Sequence, residues 1–191
     1  TKNDASIQIM DNGTGMRDEA IDTYVNVGYD RRDYYYHSDS PTEAQNNIMG
    51  RKGIGKLAAL YLSKDYYIQT KTSDSAPTTW HLASDTHLAE KPYLILETGT
   101  DIDAIDPEWE QSPSGTLLIL NHVDLTGLGE VAFNALSHNL ANHFLSSSMQ
   151  SQAIYLGLAR NEKEYNEHEF HKVEKMIAFH NYAMILENLS P

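Results

Sequence analysis

The sequence has no cysteine, no long apolar run and few positive charges, and each shortage narrows what the protein can be. Without cysteine there can be no disulfide and no thiolate metal site, which suits a cytoplasmic protein. No stretch reaches the ~18 consecutive apolar residues of a membrane span. The first ten residues, TKNDASIQIM, do not form a signal peptide. We therefore expect a cytoplasmic protein without a membrane partner.

Positive charge is scarce and unevenly distributed. The 191 residues carry 14 basic and 27 acidic side chains, a net charge of −13. The balance is −2 over residues 1–70 and −11 over residues 71–191. An acidic surface contacts nucleic acid poorly, because neutralising the phosphates requires clustered Lys and Arg. We therefore expect no direct nucleic-acid binding by this chain.

Two glycine-rich motifs are the most informative feature that is present. They read Asp11-Asn12-Gly13-Thr14-Gly15-Met16 and Gly50-Arg51-Lys52-Gly53-Ile54-Gly55-Lys56. With glycine near ~7% of residues, both patterns together occur by chance in roughly one chain of this length in several hundred. The first motif carries a carboxylate, and the second carries basic residues. This pair suits a ligand with a base at one end and phosphates at the other, so it predicts nucleotide binding.

The first motif has the chemistry to hold the base. The Asp11 carboxylate follows a predicted strand and can accept a hydrogen bond from the exocyclic amine of adenine. Gly13 and Gly15 have no Cβ, so the backbone can approach a flat base closely. Met16 would form an apolar wall beside it.

The second motif has the chemistry to hold the phosphates. Its glycine-rich turn, residues 50–55, leads into the clearest predicted helix of the chain, residues 54–63. Free amides of the turn and of the helix N-terminus attract anionic oxygens. Lys56, together with Arg51 or Lys52, can add charge-assisted hydrogen bonds.

Hydrophobic periodicity predicts an α+β fold. We predict strands at residues 6–10, 66–70, 78–82, 93–97, 116–121, 153–158 and 176–186. We predict helices at residues 18–27, 54–63 and 130–145, a loop of about twenty residues at 29–49, and an acidic connection at 99–114. This order favours a mixed or antiparallel sheet with helices on one face. The domains are expected to be residues 1–148 and, as a second domain or extension, 149–191.

Two other phosphate-binding folds fit the motifs less well. Gly50, Gly55 and Lys56 nearly match the P-loop pattern, but Leu57 stands where a hydroxyl should hold magnesium. Residues 45–49 are also too polar for the buried strand that precedes a P-loop. A dinucleotide-binding fingerprint is absent, because no G-x-G-x-x-G is followed by an acidic residue at the expected distance.

The two motifs, in this order and spacing, resemble the second and third motifs of the GHKL ATPases. That superfamily includes gyrase B, heat-shock chaperone ATPases, histidine kinases and mismatch-repair clamps. Gly115-Thr116 resembles the fourth motif, so the resemblance extends over residues 6–145. The form GRKGIGKLAAL is most similar to the microrchidia-like and bacterial heat-shock-type branch.

The resemblance implies a two-layer α+β sandwich of the Bergerat type and a site for ATP with Mg²⁺. It implies nucleotide contacts from the two motifs, including Asn12 and Ile54, and from Thr116. Residues 29–49 would form an ATP lid whose closure is coupled to homodimerisation or partner binding. We expect this lid to be the most mobile segment without nucleotide.

One part of the GHKL pattern is missing. The superfamily's first motif, a helix with a general-base Glu and a magnesium-binding Asn, is expected upstream of Thr1. The catalytic residue is therefore unknown, Mg²⁺ would be held through the ATP phosphates, and we expect this chain to bind ATP with negligible turnover. The alternatives are a non-hydrolysing, nucleotide-gated interaction module and, less favoured, a histidine-kinase-type catalytic domain.

Overall fold

The strands of the first compact unit, residues 1–126, form one sheet in the part of the chain that the structure describes. The computed structural model describes residues 4–25, 55–83, 93–97, 107–144, 153–159 and 170–173. In chain order the elements are β1 (Ala5–Asp11), α1 (Asp18–Asp22), α2 (Gly55–Leu62), β2 (Asp65–Lys71), β3 (Thr78–Ala83), β4 (Tyr93–Glu97), α3 (Glu108–Gln111) and β5 (Gly115–Val123). The α+β class is thereby confirmed.

The sheet has the strand order β1-β5-β2-β3-β4, and all neighbouring strands are antiparallel. The strand of this sheet that comes last in the chain, β5, lies between β1 and β2. Its run Leu117–Leu120 is apolar without alternation, as expected for a strand whose two faces are both covered. Because β5 lies between them, the C-terminal ends of β1 and β2 flank the start of β5, although these two ends are about sixty residues apart in the chain.

The two faces of the sheet carry separate apolar clusters, because successive side chains of a strand point in opposite directions. The first cluster contains the buried residues Tyr66, Ile68, Leu82, Leu120 and Val123. Its neighbours come from the segment around α1 and from α2, and include Met16, Tyr24, Val25, Ala59 and Leu60. The second cluster contains Trp109, Leu117 and Ile119, with Met10 and Tyr67 packed against it.

Ser63 fixes the end of α2 against β5. Its buried hydroxyl lies 2.6 Å from the Asn121 carbonyl oxygen and 2.7 Å from the Asp65 carbonyl oxygen, which share its single proton, and it accepts the Asp65 N–H at 3.0 Å. The Ser63 N–H donates to the Ala59 carbonyl. The C-terminal end of α2 is therefore held at the end of β5 that is far from Thr116.

In the first unit, two predicted elements differ from the observed ones. The helix predicted over residues 18–27 ends at Asp22, because the Thr23 hydroxyl donates to the Ala20 carbonyl, at 3.0 Å, and the Tyr24 N–H bonds to Ile21 in a tighter turn. Residues 26–27 lie outside the described residues. The connection predicted over residues 99–114 contains the single-turn helix α3, which begins after Pro107 and buries Trp109.

The second compact unit, residues 127–191, contains α4 (Glu130–Phe144), β6 (Tyr155–Leu156) and β7 (His171–Lys172) in its described part. The helix matches the prediction within one residue, whereas only two residues of the predicted strand 153–158 pair. These two strands are antiparallel, and the Val173 N–H continues the ladder to the Ile154 carbonyl. The strand predicted at residues 176–186 lies outside the described residues, and the domain boundary at 148/149 stays a prediction.

In the segments that the structure describes, we find no helix with both the length and the apolar character needed to cross a membrane. The long loop predicted at residues 29–49 lies outside them. The two-layer arrangement remains a prediction.

Candidate functional site

A row of polar residues crosses three neighbouring strands at one end of the sheet. Asp11, the last residue of β1, is paired with Thr116 on β5, and Thr116 is paired with Thr70 on β2. Cross-strand partners of an antiparallel sheet project from the same face. The residues beside them in the strands, Ile9, Leu118 and Ile68, pair in the same way. The row therefore lies on the face that carries Ile68, at the edge of the first apolar cluster.

Thr70 joins the two chain segments at this end of the sheet. It is 1% exposed, and its hydroxyl accepts the Met16 N–H at 2.7 Å and donates to the Gly115 carbonyl at 3.2 Å. Met16 is the last residue of the first glycine motif, and Gly115 precedes Thr116. The buried Thr70 hydroxyl on β2 thus bonds to the first glycine motif and to the residue before Thr116.

The turn after β1 requires glycine at position 15. Gly15 has a φ of +74°, in the left-handed region that residues with a Cβ rarely adopt. A Cβ there would lie within 3.0 Å of the Lys71 carbonyl oxygen and 3.2 Å from the Thr70 hydroxyl. The turn therefore lies directly against the end of β2, at a distance that only glycine allows.

Gly115 makes the second close approach. A Cβ at this residue would lie within 3.0 Å of the Asp11 carbonyl oxygen and 3.1 Å from the Trp109 ring. The absence of a side chain allows the start of β5 to pack between the β1 main chain and this ring. Both glycines therefore serve close packing around the polar row.

The Asp11 carboxylate is exposed and shaped by its own turn. Its Oδ1 accepts the Gly13 N–H at 2.8 Å, in the local turn that Asp side chains commonly form. Among the described residues, no other hydrogen bond or ion pair involves this carboxylate. Oδ2 is therefore available, within the described part of the chain, to accept a hydrogen bond from a ligand.

A buried cation supports the opposite face of the same strand end. The Lys71 ammonium donates to the Trp109 carbonyl and lies 4.3 Å from the centre of the Trp109 ring. The Trp109 indole N–H donates to Gln69 Oε1 at 2.5 Å. Burial lowers the pKa of Lys71, and the negative charge of Glu110 acts in the opposite direction. These contacts fix α3 to β2 directly behind Gly115.

The residues predicted from the sequence fall into three groups. The structure brings Asp11, Gly13, Gly15, Met16 and Thr116 together at one end of the sheet, with Asn12 exposed beside them. Gly55 and Lys56 form the start of α2. Gly50, Arg51, Lys52, Gly53 and Ile54 lie outside the described residues.

Sequence reasoning did not identify Thr70, Lys71 or Trp109. In the sequence, Thr70 is simply one β-branched residue at the end of a predicted strand, and Trp109 lies in a segment that we predicted to be a connection. The only available signal was the polar ending of the apolar strand β2, Gln69-Thr70-Lys71. That ending does not specify which strands lie on either side.

The sheet, the carboxylate at a strand end and the close-packed glycine turns define an α+β domain with a candidate nucleotide site. Comparison with known protein families then identifies the family to which the chain belongs. Residues 1–116 match the family described as "Histidine kinase-, DNA gyrase B-, and HSP90-like ATPase", and the chain belongs to it. This match includes both glycine motifs and ends at Thr116. It confirms the GHKL superfamily and implies ATP binding, typically with Mg²⁺. No curated protein matches the chain.

Proposed function

We propose that this chain is the ATP-binding domain of a GHKL-type ATPase, and that the row Asp11, Thr116 and Thr70 marks the adenine end of its site. The observation that carries the proposal is the alignment of the Asp11 carboxylate with two threonines in register on neighbouring strands. Core packing alone does not explain three polar residues side by side at the edge of an apolar cluster. The Thr70 hydroxyl is already bonded to the main chain on either side, and a ligand that offers a hydrogen-bond donor would explain the exposed Asp11 carboxylate beside it.

The carboxylate selects for adenine by its charge. Adenine carries a donor, the exocyclic amine, at the position where guanine carries an acceptor oxygen. A hydrogen bond with one charged partner contributes about 1.5–3 kcal/mol, so Asp11 both orients adenine and disfavours guanine. The Gly13 N–H occupies Oδ1 and holds the side chain in one orientation. Met16, half-buried and packed against the first apolar cluster, would contact the flat face of the base.

The phosphates would lie at the N-terminal end of α2. Ser63 holds the other end of this helix at Asn121, and Ala59 and Leu60 pack on the first apolar cluster. We therefore place the helix start at Gly55 toward the Thr116 end of β5. The glycine motif that precedes it, residues 50–54, and Lys56 would bind the anionic oxygens. We assign Mg²⁺ to the phosphate oxygens, with no side-chain ligand from the described residues.

Closure of a lid would couple nucleotide binding to homodimerisation or partner binding. This part of the proposal comes from the composition of residues 29–49 and from their position between the two motifs. Bound phosphates would order the lid at its C-terminal end. Hydrogen exchange with and without an ATP analogue tests this idea: protection should rise across residues 29–49, and equal protection in both states would refute it. The microrchidia-like and heat-shock-type branch and the cytoplasmic location stay predictions.

Asp11→Asn is the decisive test of the adenine site, and the chain offers a matched control. Asp124 is also exposed, and its Oδ1 accepts the Thr126 N–H at 2.8 Å, two residues ahead, as Asp11 does with Gly13. Asn can preserve both local turns, so each variant changes mainly the charge.

Titration calorimetry with ADP should show binding by the wild-type chain and by Asp124→Asn. Asp11→Asn should lose at least about tenfold in affinity, which corresponds to about 1.4 kcal/mol. GDP should bind much more weakly than ADP to the wild type. A well-folded wild-type chain without affinity for adenine nucleotides up to millimolar concentration would refute the proposal.

An ATPase and a non-hydrolysing, nucleotide-gated module share this binding step. Robust phosphate release would favour the ATPase, whereas negligible release by this chain is expected of both. Asp11-dependent release by the present chain would identify a general base among its own residues and would contradict the negligible turnover predicted from the sequence.

A further inference from the structure

We infer that Thr70 is a positioning residue for nucleotide binding, which holds the Asp11–Met16 turn against the start of β5. The inference rests on the proposed function, since it concerns the same site. Thr70 lies outside both glycine motifs and outside Gly115-Thr116. Its role is to fix the geometry of the residues that contact the nucleotide.

The Thr70 hydroxyl uses both of its hydrogen-bonding capacities on the two halves of the site. It accepts the Met16 N–H at 2.7 Å and donates to the Gly115 carbonyl at 3.2 Å. A hydroxyl has one proton to donate and lone pairs to accept, so a single side chain can satisfy a main-chain donor and a main-chain acceptor together. Valine has the same shape but would leave both main-chain groups without this partner.

The main chain around Thr70 places its hydroxyl directly against the turn after β1. The Lys71 carbonyl lies against Gly15 so closely that no Cβ could fit between them, and the Thr70 hydroxyl lies 3.2 Å from the same Cβ position. The turn therefore packs directly on the main chain at the end of β2. The hydroxyl is the one side-chain group of β2 that bonds to the turn in the described residues.

This hydrogen bond raises the affinity for nucleotide because it orders the turn in advance. With its bond to Met16 in place, the turn is fixed before the nucleotide arrives. Without that bond, the nucleotide must order the turn, and fixing one residue's backbone reduces affinity by about tenfold.

The test compares three variants in the full 191-residue chain, with ADP as the ligand. Thr70→Val removes the hydroxyl and keeps the shape. Thr70→Ser keeps the hydroxyl. Thr79→Val is the matched control. Thr79 lies on the neighbouring strand β3, is 7% exposed and accepts a hydrogen bond from the Gln69 side chain at 3.1 Å. It is paired with Gln69, the residue before Thr70, so its side chain lies on the opposite face of the sheet from that of Thr70.

We expect ADP affinity to fall about tenfold in Thr70→Val and to stay within about threefold of wild type in Thr70→Ser and in Thr79→Val. Hydrogen exchange supplies a second readout, because the Met16 amide should lose protection in Thr70→Val and keep it in the other two variants. If both valine variants lose stability equally and only Thr70→Val loses affinity, a merely structural role is excluded.

Thr70→Cys keeps the test decisive if Thr70→Val does not fold. The thiol is a weak donor and acceptor with nearly the size of serine, so Thr70→Cys should bind ADP more weakly than Thr70→Ser. Equal affinity of these two variants, or of Thr70→Val and wild type, would overturn the inference. No ADP binding by the wild-type chain would refute the proposed function itself, which is a different and separately visible result.

Discussion

Gly15→Ala is the substitution that examines the turn after β1 most directly. Gly15 has a φ of +74°, and a Cβ there would lie within 3.0 Å of the Lys71 carbonyl oxygen. The obstructing atom belongs to the main chain of β2, which is paired on both sides, so the turn must move instead. Gly127 is the matched control, since its φ is +84° and no atom of the described residues beyond its chain neighbours lies within 4 Å of its Cβ position.

The two variants share a backbone cost and differ in a packing cost. A residue with a Cβ in the left-handed conformation loses about 1–2 kcal/mol, so Gly127→Ala should lower the free energy of unfolding by about that amount or less. Gly15→Ala adds overpacking against β2, about 1–3 kcal/mol. It also breaks the hydrogen bond from Met16 to Thr70, about 1 kcal/mol. We expect a total loss of about 3–6 kcal/mol, a large part of the 5–15 kcal/mol that stabilises a typical domain.

Urea unfolding followed by circular dichroism measures both free energies, and ADP titration of the folded variants measures the site. Gly15→Ala should unfold at a clearly lower urea concentration than Gly127→Ala and should bind ADP at least about tenfold more weakly. Equal urea midpoints for the two variants, with equal ADP affinity, would show that the turn does not rest on β2 as described. The reasoning about both Gly15 and Thr70 would then fail together.

Three further predictions concern other residues of the first unit. Burial raises the pKa of Tyr66, so its contribution to stability is complete below the unfolded value of 10.0 and declines as the pH rises above it. Tyr66→Phe should therefore flatten the fall of the urea midpoint between pH 10 and 11. The Thr72 hydroxyl is the largest cause that holds the pKa of Asp74 below 3.8, so Asp74 stabilises above that pH, and Asp74→Asn should make the loss of stability between pH 4 and 2 shallower. Trp109→Ala should lower the free energy of unfolding by about 3–5 kcal/mol in urea titration, and a loss below about 1 kcal/mol would contradict its place in the core.

The local elements of the first unit could be predicted because their signals are local. The strand at residues 93–97 was predicted with its observed bounds, and the other four strands of the sheet within two residues. Alternation of apolar side chains and helical spacing are properties of short windows, so they survive without tertiary context. Helix ends were less predictable. At Thr23, a single side-chain hydrogen bond to Ala20 ended α1 earlier than the apolar spacing indicated.

The residue pattern alone indicated the superfamily and the residue types of the candidate site. The motif at residues 11–16 and the Gly115-Thr116 pair have patterns that suit a nucleotide, and such patterns are readable without a fold. Their proximity was not. Only the tertiary structure placed β5 between β1 and β2 and so aligned Asp11, Thr116 and Thr70 in one row. Strand order and register depend on pairing between distant segments, and no short window of the sequence contains that information. For the same reason, only the fold could show that Thr70, which no sequence pattern singles out, bonds to both Met16 and Gly115.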